Sequence, residues 1–252
     1  MFPENGVDRE KYIFDQVFVG NFAAKWTEIV HAEGGHEVKL QVMDDALMVD
    51  GVRVNVSATL EQQLADVFDA SLLTPKVADL MYARAVRRAN PCPVPWAATV
   101  AAMKQHSAAV DNQVGTGEGL ANTVGKHWVL DKGLQGRPGQ ACNYGWHFGG
   151  QSFQGIVGYA PAFPAIFGNR VVKVIQPNAT AHDIHHSDYS QVCQLVAQQC
   201  WVDGVEMRFA DLVKSANLAY LVSHQGPLSI DRQPGVTQLK GQYVMFPITV
   251  TA

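Results

Sequence analysis

The chain of 252 residues is poor in most of the features that announce a function. It has four cysteines, Cys92, Cys142, Cys193 and Cys200, and no CxxC, which argues against a zinc ribbon or a thioredoxin-type centre. Cys193 and Cys200 fall on a segment that reads as helix, where two turns hold them roughly 10 Å apart, too far for a bridge. The thiols therefore read as buried and free. Charged residues make up 17% of the chain and the net charge is −4, so no basic field advertises nucleic acid or an anionic membrane as a partner. The stretch "RAVRR" (84–88) reads as the solvated face of a helix. No apolar run approaches the ~20 residues of a membrane span. The start, "MFPENGVDREKYIF", lacks the basic-then-apolar plan of a signal peptide, so the expected compartment is the cytoplasm by default. HExxH is absent. "GTGEGLANTVG" neither ends in GK[ST] nor completes GxGxxG, and reads as an ordinary loop.

What is present is a core-forming composition, 47% hydrophobic. Apolar spacing through Phe14, Val17, Phe18, Phe22 and Trp26 predicts a helix over most of the first 30 residues. "HEVKLQVMDDALMVDGVRVNVS" reads as strands, with a hairpin at Asp50-Gly51. Ser57 or Thr59 caps a helix whose first turn suits Glu61 and Gln62. Thr74 and Pro75 open another helix, and "NPCPVPW" starts a long crossing segment. From Gly115 to Gly168 glycine is frequent, and "FGGQSFQGIVGYAPAFPAIFG" reads as a glycine-hinged aromatic loop over a cleft. "RVVKVIQP" reads as a strand, "SQVCQLVAQQCWV" as a helix ended by Asp203-Gly204, and "RFADLVKSA" and "NLAYLVS" as short helices. "YVMFPITV" reads as an edge strand, because Pro247 cannot donate to a ladder. The expected architecture is a single α+β domain over 1–252: a mixed or antiparallel sheet with helices packed on it. Residues 1–90 form a helix/strand/helix part, and 91–252 carry the site.

Four segments gather proton-transferring side chains: Lys126-His127 in "GKHWVL", His147 in "NYGWHF", the cluster "HDIHHSDYS" from His182 to Ser190, and His224 in "VSHQGPL". Strand alternation puts Tyr144 and Trp146 on one face and His147 on the other. Asp188 or Ser190 suits the N-cap of the helix expected next, whose free N–H groups favour an oxyanion. Three chemistries fit. In the first, Ser190 is a nucleophile or Tyr189 an acid, with His147 or His182 as base and Lys126 stabilising negative charge. In the second, His182, His185, His186 and Asp188 bind zinc, with His147 as a further ligand. In the third, Cys142 or Cys193 is the nucleophile. "SQVC" is faintly similar to the SHGC signature of L,D-transpeptidases, but glutamine and valine replace its histidine and glycine.

Taken in order, "LLTPKVADLMYARA", "GKHWVL", "NYGWHF", "VIQP", "HDIHHSDYSQ", "CWVDG" and "LVSHQGPL" resemble a family of uncharacterised bacterial proteins with no established activity. Its motifs match at Lys126, at Tyr144 to His147, and at His182, Asp188, Tyr189 and Ser190. The chain departs at His127 and Gln191, where the family has lysine and histidine. Cys142, Cys193, His185 and His186 match nothing in the family, so the resemblance weighs against thiol and metal chemistry. It implies positions, not an activity.

The expectation is a metal-independent hydrolase or transferase of amide, ester or glycosidic bonds, with a small-molecule or polymeric substrate and no cofactor. Lys126, His147, His182, Asp188, Tyr189 and Ser190 form the catalytic set, with His147 and His182 as base and acid and Asp188 orienting an imidazole. Tyr144, Trp146, Phe153 and Tyr159 contact substrate, and Phe163 and Phe167 add stacking surface. Two alternatives stand beside it: a non-catalytic polymer- or peptide-binding module, and a zinc hydrolase built on the His182–Asp188 cluster.

Overall fold

The structure, a computed structural model, describes residues 1–94, 97–115, 117–122, 124–148, 166–167, 170–171 and 174–239. In chain order these form α1 (Gly6–Phe18), β1 (Trp26–Glu33), β2 (His36–Met43), β3 (Met48–Val49), β4 (Val52–Arg53), α2 (Ala58–Val67), β5 (Ala70–Ser71), α3 (Pro75–Arg84) and β6 (Arg87–Arg88). There follow α4 (Val100–Val114), β7 (Ala121–Asn122), β8 (Lys126–Val129), β9 (Gln140–His147), β10 (Ile166–Phe167), β11 (Arg170–Val171), β12 (Val174–Asp183), β13 (Val196–Val202), β14 (Val205–Arg208) and α5 (Phe209–Leu212). Helices and antiparallel sheets in one chain make an α+β fold, as the sequence predicts. Phe153, Tyr159, Phe163 and the tail "YVMFPITV" lie outside the described residues.

Two sheets organise the chain. One runs β1-β2-β13-β14, with β5 also paired to β13; the other runs β12-β9-β8; all of these pairs are antiparallel. One large apolar cluster spans both sheets, drawing Val38, Leu40 and Val42 from β2, Leu64 from α2, Met81 from α3, Trp128 from β8 and Val196 from β13. Helix α3 packs against both β1 and β9 and so bridges the sheets.

Local chemistry accounts for the helix starts. Asn5 Oδ1 accepts the N–H groups of Val7 and Asp8 at the head of α1, and Ser57 Oγ accepts Leu60 N–H at the head of α2. The reciprocal partner in that second cap is not Glu61. Glu10 from α1 takes the Ser57 N–H at 2.7 Å and its hydroxyl at 3.0 Å, a capping box completed from a neighbouring helix. Thr74 caps α3 with Pro75 at its first position, as expected.

Four expectations change. Helix α1 stops at Phe18 and the chain turns at Gly20 (φ +79°), so Phe22 and Trp26 reach Phe68 from outside the helix. Arg87-Arg88 is not on a helix but pairs in parallel with Ala121-Asn122. The crossing segment after the proline cluster contains α4, capped by Thr99. The segment "SQVCQLVAQQCWV" holds strand β13 instead of a helix, so Cys193 and Cys200 are not on adjacent turns. Val196, Ala197 and Gln198 at the start of β13 are all buried, and burial alternates only from there on, with Gln199 exposed and Trp201 half-buried, too short a stretch to signal a period of two. Asp203-Gly204, both at positive φ, then closes a β13–β14 hairpin.

Candidate active site

Every residue of α3 from Pro75 to Met81 is buried, and one of them is a carboxylate, Asp79, 2% exposed. It is satisfied from the facing strand. Tyr144 Oη donates to Asp79 Oδ1 at 2.9 Å, and His147 Nε2 reaches the same oxygen at 2.6 Å. His224, from the segment following α5, reaches Oδ2 at 2.8 Å. A carboxylate only accepts, so both imidazoles carry their proton on Nε2. That tautomer makes Nδ1 of His147 a lone-pair nitrogen, and it is buried with no hydrogen-bond partner among the described residues.

Tyr144 and His147 share this face because the strand breaks its alternation. Gly145 sits at φ +105° and Trp146 at φ +57°, a left-handed conformation that is an outlier for a bulky side chain. The irregularity turns His147 to Tyr144's side and sends Trp146 to the other, reversing the expected assignment of faces. A Cβ on Gly145 would lie 3.2 Å from His127 Cδ2 and 3.8 Å from His147 Nδ1, so both rings crowd the space that glycine leaves open. Tyr82, one turn beyond Asp79, stacks on His147 at 4.9 Å and donates its hydroxyl to the Phe148 carbonyl.

The electrostatics follow from burial. Desolvation works to raise the Asp79 carboxyl, but the hydrogen bonds and charges of His147 and His224 outweigh it, and its pKa lies below the ordinary value. Burial, then Asp79, raises the Tyr144 phenol and keeps it protonated. His127, cross-strand partner of Tyr144, is fully buried with both ring nitrogens unpaired. Burial and then His147 push its pKa down to about 3, so it is neutral at physiological pH. His224 is the one ring of the two on Asp79 that meets solvent, its side chain 21% exposed.

The residues around "HDIHHSDYSQ" form a separate assembly on the other face of β8 and β9. Lys126 N–H bonds the Ser190 carbonyl, and Val192 N–H bonds the Lys126 carbonyl, which lays residues 190–192 alongside β8. Gly125 permits this approach, since a Cβ there would come within 2.6 Å of the Ser190 carbonyl oxygen. Asp188 does not cap a helix; it accepts the Ser190 N–H at 2.7 Å and the Ser190 hydroxyl at 2.6 Å. Its other oxygen pairs with Lys126 Nζ at 3.1 Å. Desolvation opposes these contacts, yet the Asp188 pKa ends below its usual value. Ser190 donates its hydroxyl to Asp188, a carboxylate already paired with Lys126, and among the described residues faces no imidazole that could act as its base. Tyr189 packs with Trp146 and His106, and its phenol is raised by burial first and Asp188 second.

His147 and His182 do not meet. His182 pairs with Ala141 and His147 with Val174 across β9 and β12, so they lie six residues, roughly 20 Å, apart along β9. Proton transfer between them needs contact near ~3 Å, and the expected base–acid pair is withdrawn. Asp188 orients no imidazole; Asp79, which sequence reasoning passed over, orients two. The zinc alternative is not assembled either. His182 and His186 stack on each other at 5.2 Å beside Trp128, His185 Nδ1 lies 3.3 Å from the Thr59 hydroxyl, and Asp188 holds Lys126. Among the described residues no grouping of three or more His, Cys, Asp or Glu could hold a metal ion. Burial drives the Cys142 and Cys193 thiols well above their ordinary pKa, and Cys142 Sγ donates to Asn178, so neither is an activated nucleophile.

No protein-family model, curated protein or solved structure matches this chain.

Proposed function

We propose that the chain is a hydrolase or transferase that acts on an amide, ester or glycosidic bond without a metal, using His147 as its general base. One observation carries the reading: a buried carboxylate holds two imidazoles by Nε2, leaving His147 Nδ1 buried and without a partner among the described residues, with Tyr82 stacked on its ring. In this reading Nδ1 takes a proton from water or an acceptor hydroxyl as it attacks the substrate. Asp79 stabilises the imidazolium that forms and fixes its tautomer. The same proton then passes from His147 Nδ1 to the leaving group, while His224 holds the other oxygen of Asp79. Amides and esters suit this set better than glycosides, because glycoside cleavage ordinarily uses two carboxylates flanking one bond, and the carboxylate here is already engaged by three donors.

The test is a panel of chromogenic esters, anilides and glycosides offered to the native chain and to Asp79→Asn. Turnover that falls on the order of 10³–10⁴-fold in kcat in the variant supports the reading, because an amide at that position no longer imposes the tautomer. A chain that turns over nothing, yet binds a peptide or oligosaccharide equally well with His147→Asn, is a binding module, and the proposal fails.

A further inference from the structure

Away from the histidine cluster, a cavity of about 180 Å³ opens beside the β3–β4 hairpin, walled by Ala23, Ala24, Ala46 and Met48. That is below the ~300–1,000 Å³ of a drug-sized site, so it suits one functional group on a short apolar body. Its charged groups fall into two sets. Arg53 is fully engaged: Nε and Nη2 meet the two oxygens of Asp45 at 2.8 Å each, and Nη1 pairs with Asp111. Arg87 gives Nε and Nη2 to the Gly119 carbonyl and Nη1 to the Gly115 carbonyl, with Asp45 3.5 Å away. Asp44 is the exception. It is 5% exposed, lines the cavity, and no hydrogen bond or ion pair from another of the described residues reaches its carboxylate. Three carboxylates thus face two guanidinium groups. Among the described lining residues the remaining cation, Lys25, is exposed and forms no ion pair with Asp44.

A mostly buried carboxylate that lines a cavity beside alanines and a methionine, with no paired cation among the described residues, favours a ligand that brings a counter-charge. We infer that this cavity binds a primary alkylammonium group, either a small free amine or a lysine side chain, with Asp44 taking the ammonium and the alanines and Met48 taking the methylenes. An anion is disfavoured, because both guanidinium groups at the cavity are committed and Asp44 would repel it. Burial, then Asp45, raises the Asp44 carboxyl, against weaker opposition from Arg87 and Lys25, so a bound cation would bring it back down.

The probes are n-butylammonium for a free amine and Nα-acetyl-lysine methylamide for a peptide side chain, with 1-butanol and butyrate as controls. Binding is followed by NMR shifts of the backbone amides of residues 23–25 and 44–48. Saturable shifts with either cation, absent with both controls and at least 10-fold weaker in Asp44→Asn, support the inference. The tighter of the two cations identifies the source. Equal shifts with butanol, or unchanged affinity in a folded Asp44→Asn chain, overturn it. If that variant does not fold, the native chain decides: affinity for n-butylammonium must fall as acid protonates Asp44, and a pH-independent affinity overturns the proposal.

Discussion

Glu61 sits on α2 at 0% exposure, and no hydrogen bond of good geometry reaches either carboxyl oxygen. Burial therefore dominates: its pKa is raised well above the ordinary value, and the backbone N–H groups of Gln194 and Trp128 oppose this only in part. The consequence for stability has a definite sign. An unfolded glutamate ionises near ~4.3, while the native carboxyl keeps its proton to higher pH. The contribution is therefore complete below the unfolded pKa and is lost as pH rises towards the native one, at about 1.4 kcal/mol per pH unit. Two pH units of that slope amount to about 2.7 kcal/mol, a large part of a typical ~5–15 kcal/mol. Glu61→Gln keeps the shape and removes the titration. Urea unfolding of both chains at several pH values isolates the effect, since every other group cancels in the difference. The stability of the Gln variant relative to the native chain must rise with pH across this window. Parallel curves would refute the reasoning, because they would mean that Glu61 ionises in the folded chain as readily as in the unfolded one.

Three further outcomes are expected. Gly145→Ala forces a Cβ onto a backbone at φ +105° and against His127, costing about 1–3 kcal/mol in denaturant unfolding and displacing His147 enough to reduce any turnover. Ser190→Ala removes one hydrogen bond to Asp188 and costs about 1–3 kcal/mol of stability, yet leaves turnover intact; abolished turnover in a folded variant would restore Ser190 as a nucleophile. Arg53→Met leaves Asp45 and Asp111 without their shared partner and should cost about 3–5 kcal/mol by urea unfolding.

The sequence disclosed structure where one local group acts on its neighbours. Ser57, Thr74 and Asp50-Gly51 do what their side chains and φ preferences dictate. The same Asp-Gly pair at 203–204 was misread as a helix end because the strand before it opens with three buried residues and alternates only over its last few. The site was half legible for a related reason. Tyr144 and His147 could be picked out, but their shared face depends on a left-handed Trp146 that no propensity predicts. Asp79 lay hidden between Ala78 and Leu80 in a helix whose apolar residues suggested only packing. A carboxylate embedded in such a run was the available signal, since a buried charge needs partners and those partners are long-range. The denser cluster at 182–190 drew attention because its polarity is local, and much of it is spent on an ion pair and a turn.

The central claim is that Asp79 fixes His147 with its proton on Nε2 and a free lone pair on Nδ1. Long-range ¹H–¹⁵N correlation of histidine side chains measures this directly at mildly alkaline pH. The account predicts a His147 ring protonated at Nε2 only, with that pattern lost in Asp79→Asn. A His147 ring protonated at Nδ1, or one whose tautomer is indifferent to Asp79, would contradict it.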